Sequence, residues 1–164
     1  MINFSSRFSA GKHVRRGTIR KIVGLDPAGV LFRYANVAGR LAEGDARYVE
    51  IIHTAAGSLG FSSPLGTASF YPNGGRSQPG CGWDLAGHCA HSRAFFFFAE
   101  SLYTDTGFYA YQCESLRDVR RGRCHVLDGI VKLGGEPGNL HAAKGIYFLR
   151  TNRASPFAKG FFIA

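Results

Sequence analysis

The stretch GTIRKIVGLDPAGVLF, residues 17–32, decides how this chain folds. Residues 17–25 are rich in aliphatic and β-branched side chains and predict a buried strand. The strand is expected to end at Asp26-Pro27, because proline has no amide hydrogen to donate to a sheet. Asp26 is therefore expected at the carboxyl edge of a strand, where α/β sheets build their sites.

The rest of the chain predicts a strand-rich domain with one long helix. Residues 46–54 (ARYVEIIHT), 68–71 and 144–150 predict further strands, and residues 72–75 (PNGG) predict a tight turn. Residues 92–103 (SRAFFFFAESLY) predict a helix that is apolar on nearly all sides and should be largely buried. Residues 116–145 are expected to form a basic loop. A complete α/β domain alternates strands and helices from its start, so this chain is expected to be the second half of one.

Composition excludes several classes of protein. Apolar residues make up 45% and charged residues 19% of the 164 positions, which is typical of one globular domain with its own core. No apolar run approaches the length of a membrane span. The net charge is +9, but the basic residues are scattered and lack zinc-finger spacing. Nucleic-acid binding would therefore rest on charge alone.

The four cysteines form two local pairs, Cys81 with Cys89 and Cys113 with Cys124. An even count in close pairs favours two small disulfide loops and an oxidising compartment, with four free thiols as the alternative. A zinc site is disfavoured because there is no CxxC pair. Residues 1–11 contain no hydrophobic signal core, so the beginning of a secreted protein is expected to be missing.

Asp26 and His91 are the candidate catalytic residues. His91 follows a cysteine and precedes the predicted helix, so both residues fall at loop edges of one sheet. An aspartate and a histidine placed in this way can form the orienting and base members of a triad. The residues alone leave the alternative open, with Asp26 as a turn residue and His91 as a helix cap.

Several segments resemble pancreatic-type lipases, in one unbroken order from about residue 10 to the C-terminus. They are GLDPAGVLF (24–32), ARYVEIIHT (46–54), SFYPNGGRSQPGC (69–81), CAHSRAFFFFAES (89–101), the Cys113 and Cys124 pair, and GIYFLRTNRASPFAKG (145–160). The resemblance implies an α/β-hydrolase fold with a mostly parallel sheet. Residues 1–164 would form one partial domain, the C-terminal half, with the N-terminal strands and the nucleophile elbow missing.

The resemblance assigns roles to individual residues. Asp26 matches the triad acid and His91 the triad base, while Cys81 and Cys89 bracket the lid loop that contains Trp83. The family's serine lies in a G-x-S-x-G elbow before the acid, and this sequence has none. The nearest match, Ser58 in AGSLG, follows Asp26 and so has the wrong order. The chain alone is therefore expected to hydrolyse lipid esters poorly.

A calcium site is not expected, nor is any other metal or cofactor. Pancreatic-type members place acidic ligands just after the segment that matches Arg40-Leu41. Asp45 matches one of these ligands, but Ala42 stands at the other. Loss of a carboxylate should severely weaken a site for a hard cation.

The expected function is hydrolysis of carboxylic esters in lipids by Ser-Asp-His chemistry. The alternative is a non-catalytic binding protein of yolk-protein type, which keeps the fold without the serine. Only seven residues, 82–88, separate the lid cysteines, and such a short loop predicts an open cleft and a phospholipase A1-type preference. The expected partners are lipid or phospholipid substrates and anionic membranes. Nucleic acid is not expected to bind, and the expected location is extracellular.

Overall fold

The computed structural model describes residues 12–14, 17–30, 32–124, 130–138 and 143–161. Residues 1–11, on which the expectation about a signal sequence falls, lie outside the described part. The described elements follow one another as β1 (Lys21–Leu25), β2 (Tyr48–Ile52), β3 (Ala68–Pro72), α1 (His88–Ser101), β4 (Tyr109–Cys113), α2 (Leu116–Arg121), β5 (Ile130–Lys132) and β6 (Gly145–Leu149). Short 3₁₀ turns lie at Val37–Gly39 and Glu43–Asp45.

The strands form one mixed sheet in the order β1-β2-β3-β6-β4-β5. The pairs β1–β2, β2–β3 and β3–β6 are parallel, whereas β6–β4 and β4–β5 are antiparallel. The expectation of a mostly parallel sheet therefore holds for only one side of it. The sheet changes from parallel to antiparallel pairing at β6, which pairs in parallel with β3 and antiparallel with β4.

Strand β2 shows why the sequence of a central strand is almost continuously hydrophobic. All five of its residues are buried. Tyr48 and Ile52 pack with Phe97 of α1, while Val49 and Ile51 pack on the opposite face against Leu41, Phe61 and Leu65. Because neighbouring side chains point to opposite faces, a strand covered on both sides has few polar positions.

Helix α1 buries one stripe. Ala90, Ala94, Phe97 and Glu100 are buried at helical spacing, whereas Phe95 and Phe96 are exposed. The prediction that this helix is largely buried therefore holds for only one stripe of it. The sheet lies on one side of α1, and only residues three or four apart can face it together. None of the helices in the described residues combines the length and apolar character needed to cross a membrane.

The sequence analysis missed strand β4. It also predicted a basic loop over residues 116–145, which contain helix α2 and strand β5 as well as loop. Residues 125–129 and 139–142 of that stretch lie outside the described part. Both ends of α2 are marked by capping residues. Ser115 caps its first turn by accepting a hydrogen bond from the Asp118 amide, and Gly122 ends it in the left-handed conformation.

Candidate active site

Asp26 lies at the carboxyl end of β1 with no exposed surface. Its backbone has a positive φ of 44°, a conformation that aspartate tolerates better than most residues. Its amide still donates to the Ile52 carbonyl at 2.7 Å, so the chain leaves the sheet one residue after the last strand position. The turn made possible by Asp26 and Pro27 directs the carboxylate into the space beyond the strand ends.

The Asp26 carboxylate is held by backbone donors from the neighbouring strand connection. Its Oδ1 accepts hydrogen bonds from the amides of Thr54 at 2.7 Å and Ala55 at 3.0 Å. Gly60 packs directly against the carboxylate, and any side chain at that position would overlap it. A buried charge is stable only when its hydrogen-bonding capacity is satisfied, and these amides provide that satisfaction.

His91 meets the other oxygen of the same carboxylate. Its Nδ1 lies 2.7 Å from Asp26 Oδ2, although the two residues are 65 positions apart in the chain. The His91 side chain is about one third exposed, at 35%. Since a carboxylate accepts, Nδ1 carries the proton, which leaves Nε2 as the nitrogen available for proton exchange.

The Asp26–His91 pair can act as an orienting acid and a general base. The hydrogen bond that His91 donates to Asp26 raises the pKa of His91 above its ordinary value of 6.5, and the negative charge of Asp26 adds to this, while partial burial opposes both. A carboxylate in this place fixes the ring tautomer and stabilises the imidazolium that forms when the ring accepts a proton.

Replacing Asp26 by asparagine should lower the pKa of His91, because the charge that stabilises the imidazolium is removed. In the unaltered chain the raised pKa stabilises the folded state fully below about pH 6.5, and this contribution is lost as the pH rises through the folded-state pKa. The Asp26→Asn chain should lose that dependence. NMR titration of the His91 ring protons and urea unfolding across pH measure both effects. The matched change of an exposed acid, Asp105→Asn, should leave the titration unchanged; an equal shift would contradict the assignment.

Ser58 does not join this pair. Its Oγ donates to the Ala55 carbonyl at 2.8 Å, and no hydrogen bond connects it to His91 in the described residues. The residue lies in the turn between Ala55 and Gly60, not at a strand-to-helix elbow. Its surroundings therefore lack the geometry that exposes and activates a nucleophilic serine.

His53 is a feature that sequence reasoning left without a role. It is fully buried, stacks on the Tyr71 ring with centroids 4.3 Å apart, and its Nδ1 donates to the Phe61 carbonyl at 2.9 Å. Burial lowers the pKa of His53 to about 4, so the ring is neutral near pH 7. It directly precedes Thr54, whose amide holds Asp26, and thus braces the backbone that positions the carboxylate. In the sequence, the position of His53 at the end of a predicted buried strand is the signal that could have indicated this role.

Two disulfides are present, Cys81–Cys89 and Cys113–Cys124, with Cα–Cα distances of 5.6 and 4.7 Å. The first closes a loop, residues 81–89, which we call the disulfide loop; Trp83 on it is 95% exposed. A cleft of about 200 Å³ lies between this loop and residues 56–58, and polar residues on its rim include Ser58, Arg76 and Asp84. Disulfides of this kind indicate an oxidising compartment.

The residues matched to the family's calcium site do not fit a calcium ion. Lys12 Nζ lies 2.6 Å from Asp45 Oδ1, so an ammonium already neutralises this carboxylate. The other oxygen, Oδ2, accepts from the Ala42 amide at 2.9 Å, and Ala42 offers no side-chain oxygen. A hard cation needs six or more oxygen ligands, which this arrangement does not offer.

A second cluster, Cys81, Asp84 and Cys89, is also unsuited to a metal. Its potential ligand atoms lie within 4.8 Å of one another. Both sulfurs are bonded to each other in the disulfide, so neither is the thiolate that a metal requires. Instead, Asp84 accepts from the amides of Cys89 and Ala90 at the start of α1.

Comparison with known proteins gives the context for this site. Three relatives illustrate the matches: lipase member H of Rattus norvegicus, pancreatic triacylglycerol lipase of Sus scrofa, and phospholipase A1 VesT1.02 of Vespa tropica. They are 41%, 30% and 45% identical to this chain over 66%, 92% and 57% of it. These matches cover 25%, 40% and 32% of the relatives, so the chain spans well under half of their length.

The family model described as Lipase matches residues 7–157, nearly the whole chain. The match includes both Asp26 and His91 and all four cysteines. This protein therefore belongs to the lipase family.

Proposed function

We propose that this chain supplies the acid and the base of a lipid-ester hydrolase, with Asp26 as the orienting acid and His91 as the general base. The observation that carries the proposal is the 2.7 Å hydrogen bond between His91 Nδ1 and the buried Asp26 carboxylate. The match to the lipase family narrows the substrate to lipid esters. No metal or other cofactor takes part in the proposed chemistry.

In the proposed reaction, a serine hydroxyl attacks the ester carbonyl while His91 Nε2 accepts its proton. The tetrahedral intermediate collapses by breaking the ester bond, and the imidazolium gives the proton to the departing alcohol. A water molecule then repeats the sequence on the acyl-serine and releases the fatty acid. Asp26 keeps Nδ1–H oriented throughout and stabilises the cationic ring.

The serine belongs to a G-x-S-x-G segment that the 164 residues do not contain. As part of the proposal, residues 1–164 are the C-terminal part of one secreted α/β-hydrolase domain, and the nucleophile elbow and earlier strands lie outside this sequence. The sheet supports this arrangement because β1 lies at its edge and pairs on one side only in the described residues. An unpaired parallel edge is where another strand would add. The chain alone should therefore have little hydrolytic activity.

The expected substrates are phospholipids, cleaved with phospholipase A1-type preference. The disulfide loop has seven residues between its cysteines and leaves the adjacent cleft open, with Ser58, Arg76 and Asp84 at its rim. A polar rim suits a charged head group, whereas long lids cover an apolar cleft until an interface opens it. The relative from Vespa tropica carries the name phospholipase A1.

The second candidate function is lipid binding without catalysis, of the yolk-protein type. In this function the Asp26–His91 pair would have no serine to activate. An acid–base pair without its nucleophile would then be a remnant. The two functions differ in whether activity returns when a nucleophile is supplied.

A chimera tests the proposed function. It joins the N-terminal part of the Vespa tropica relative to this chain, and that part is chosen so that it carries an intact elbow. We expect the chimera to hydrolyse phosphatidylcholine faster than emulsified triolein, without a jump in rate when an oil interface forms. Its serine-to-alanine version is the control. Exclusive cleavage of triolein with a sharp rise at the interface would overturn the phospholipid preference. A chimera that folds with both disulfides and cleaves neither substrate would favour the binding function.

A further inference from the structure

A second cleft, smaller than the one beside the disulfide loop, lies between helix α2 and the turn that follows β3. Its volume is about 70 Å³. Since a single water requires only roughly 10–15 Å³, the cleft can hold a ligand of several heavy atoms. The polar side chains in its lining are Ser62, Tyr71, Arg76 and Arg120, and none of the described residues that line it is acidic. We call it the small cleft.

Arg76 and Arg120 bring two positive charges to the small cleft. Both residues are exposed, and the ion pairs of the described residues include neither of them. Asp118, on the same helix as Arg120, accepts instead from the Ser115 hydroxyl. Asp84, which lines the larger cleft with Arg76, accepts from backbone amides at the start of α1. A planar guanidinium offers paired donors that match the oxygens of a phosphate or sulfate, so the two arginines favour an anion of this kind.

Two hydroxyl groups add neutral donors to the small cleft. Tyr71 is buried, and its hydroxyl donates to the Ser62 carbonyl at 3.3 Å, which is long for a hydrogen bond between two oxygens. Burial raises the pKa of Tyr71 and keeps its hydroxyl protonated, while the positive charge of Arg120 opposes the rise, as a nearby cation does. A Cβ on Gly57 would lie 3.4 Å from Ser62 Oγ and 3.6 Å from Arg76 Nη2, so these two groups lie close together. Each arginine therefore has a hydroxyl group near it.

The walls of the small cleft are held in place before any ligand binds. The Cys113–Cys124 disulfide brackets helix α2, and Val119 of that helix packs with both cysteines and Tyr71 in one apolar cluster. On the other wall, the Ala56 amide donates to the carbonyl of Gly75 at 2.8 Å, which ties the turn after β3 to the neighbouring connection. Because both walls are fixed, little conformational freedom of the backbone remains to be lost on binding.

We propose that the small cleft binds a small tetrahedral oxyanion, a phosphate or sulfate group, with Arg76 and Arg120 as its charge partners and the hydroxyls of Ser62 and Tyr71 as neutral donors. The small cleft shares Ala56 and Arg76 with the larger cleft, so a bound anion changes the charge at the rim of the candidate active site. The anion is either free in solution or part of a lipid head group, and only the second source rests on the function proposed above.

Titration of the full chain with inorganic phosphate, followed by NMR of the backbone amides at constant ionic strength, tests the site. The amides of Ala56, Gly74 and Arg120 should shift and saturate together, with a dissociation constant in the millimolar range or tighter. Shifts that do not saturate would overturn the proposal. Shifts that centre on other basic residues, such as Arg123, would overturn it as well, because the net charge of +9 attracts anions everywhere on the surface.

Neighbouring arginines on α2 provide the matched comparison. Arg120→Gln and Arg76→Gln should each weaken phosphate binding by roughly tenfold, because a charged donor to the anion is lost. Arg121→Gln removes the same charge from the next position of the helix, which is exposed but does not line the small cleft, and should change the affinity little. Tyr71→Phe keeps the ring and removes only the hydroxyl, and should weaken binding by roughly fivefold. An equal loss in the Arg120→Gln and Arg121→Gln chains would overturn the assignment to this cleft.

Competition distinguishes the two sources of the anion. Glycerophosphocholine carries a phosphate diester and no acyl chain. If it displaces inorganic phosphate from the amides of Ala56, Gly74 and Arg120, the site takes a head group; if it does not, the site takes a free anion. Phosphate binding requires neither a serine nor turnover, so it fails separately from the proposed function. A chimera that hydrolyses phospholipid while the chain binds no phosphate would overturn the anion site alone, and an inactive chimera that binds phosphate would overturn only the hydrolysis.

Discussion

Replacing His91 by alanine in a chimera that carries the serine elbow should lower kcat by about six orders of magnitude. Without the ring, the serine has no group to accept its proton, and the departing alcohol has no donor. Asp26→Asn should lower kcat by about four orders of magnitude, because the ring then takes the wrong tautomer while the base is still present. Steady-state hydrolysis of a soluble short-chain ester measures both losses.

His88→Ala is the matched control for this experiment. His88 begins the same helix as His91 and is exposed, so its removal should change kcat little. Comparable activity in the His91→Ala and unaltered chimeras would show that another group is the base. The pairing of Asp26 with His91 would then be structural only.

Replacing Gly60 by alanine should destabilise the folded chain by about 3–4 kcal/mol, since the new methyl group would occupy the space of the Asp26 carboxylate. The carboxylate would have to leave its hydrogen bonds with Thr54, Ala55 and His91. The midpoint of urea unfolding measures the loss. In thermal unfolding it corresponds to roughly 6–16 °C for a chain of this size.

The same substitution should also release His91 from its partner. NMR titration should show the pKa of His91 falling, because the hydrogen bond to Asp26 is the largest cause of its rise. Ser58→Ala, two residues earlier in the same turn, should cost less than about 1 kcal/mol and leave the titration unchanged. A Gly60→Ala chain that is as stable as the unaltered one would contradict the close packing of Gly60 on the carboxylate.

The order of the strands in the chain could be predicted from local pattern. Strands β1, β2, β3 and β6 lie within or close to the predicted stretches, because each is a short run that is rich in apolar residues. The place of Asp26 at a strand end followed from Pro27 alone. Strand β5 has only three residues, which is too short for any periodicity to indicate it.

The chain itself determined which residue types reach the strand ends, where the strands end, and which cysteines lie close enough to pair. These properties depend on residues within a few positions in the chain, because those residues set the local backbone conformation and decide whether a backbone amide can donate a hydrogen bond. The tertiary structure decided that Phe97 is buried while Phe95 and Phe96 remain exposed, because only one side of α1 meets the sheet. It also decided the antiparallel side of the sheet. The 2.7 Å contact between His91 and Asp26 joins residues that are 65 positions apart in the chain. Parallel pairing of β1 with β2 places Asp26 beside the Thr54 and Ala55 amides. Packing of α1 through its buried stripe brings the first turns of that helix, and with them His91, to the same edge of the sheet.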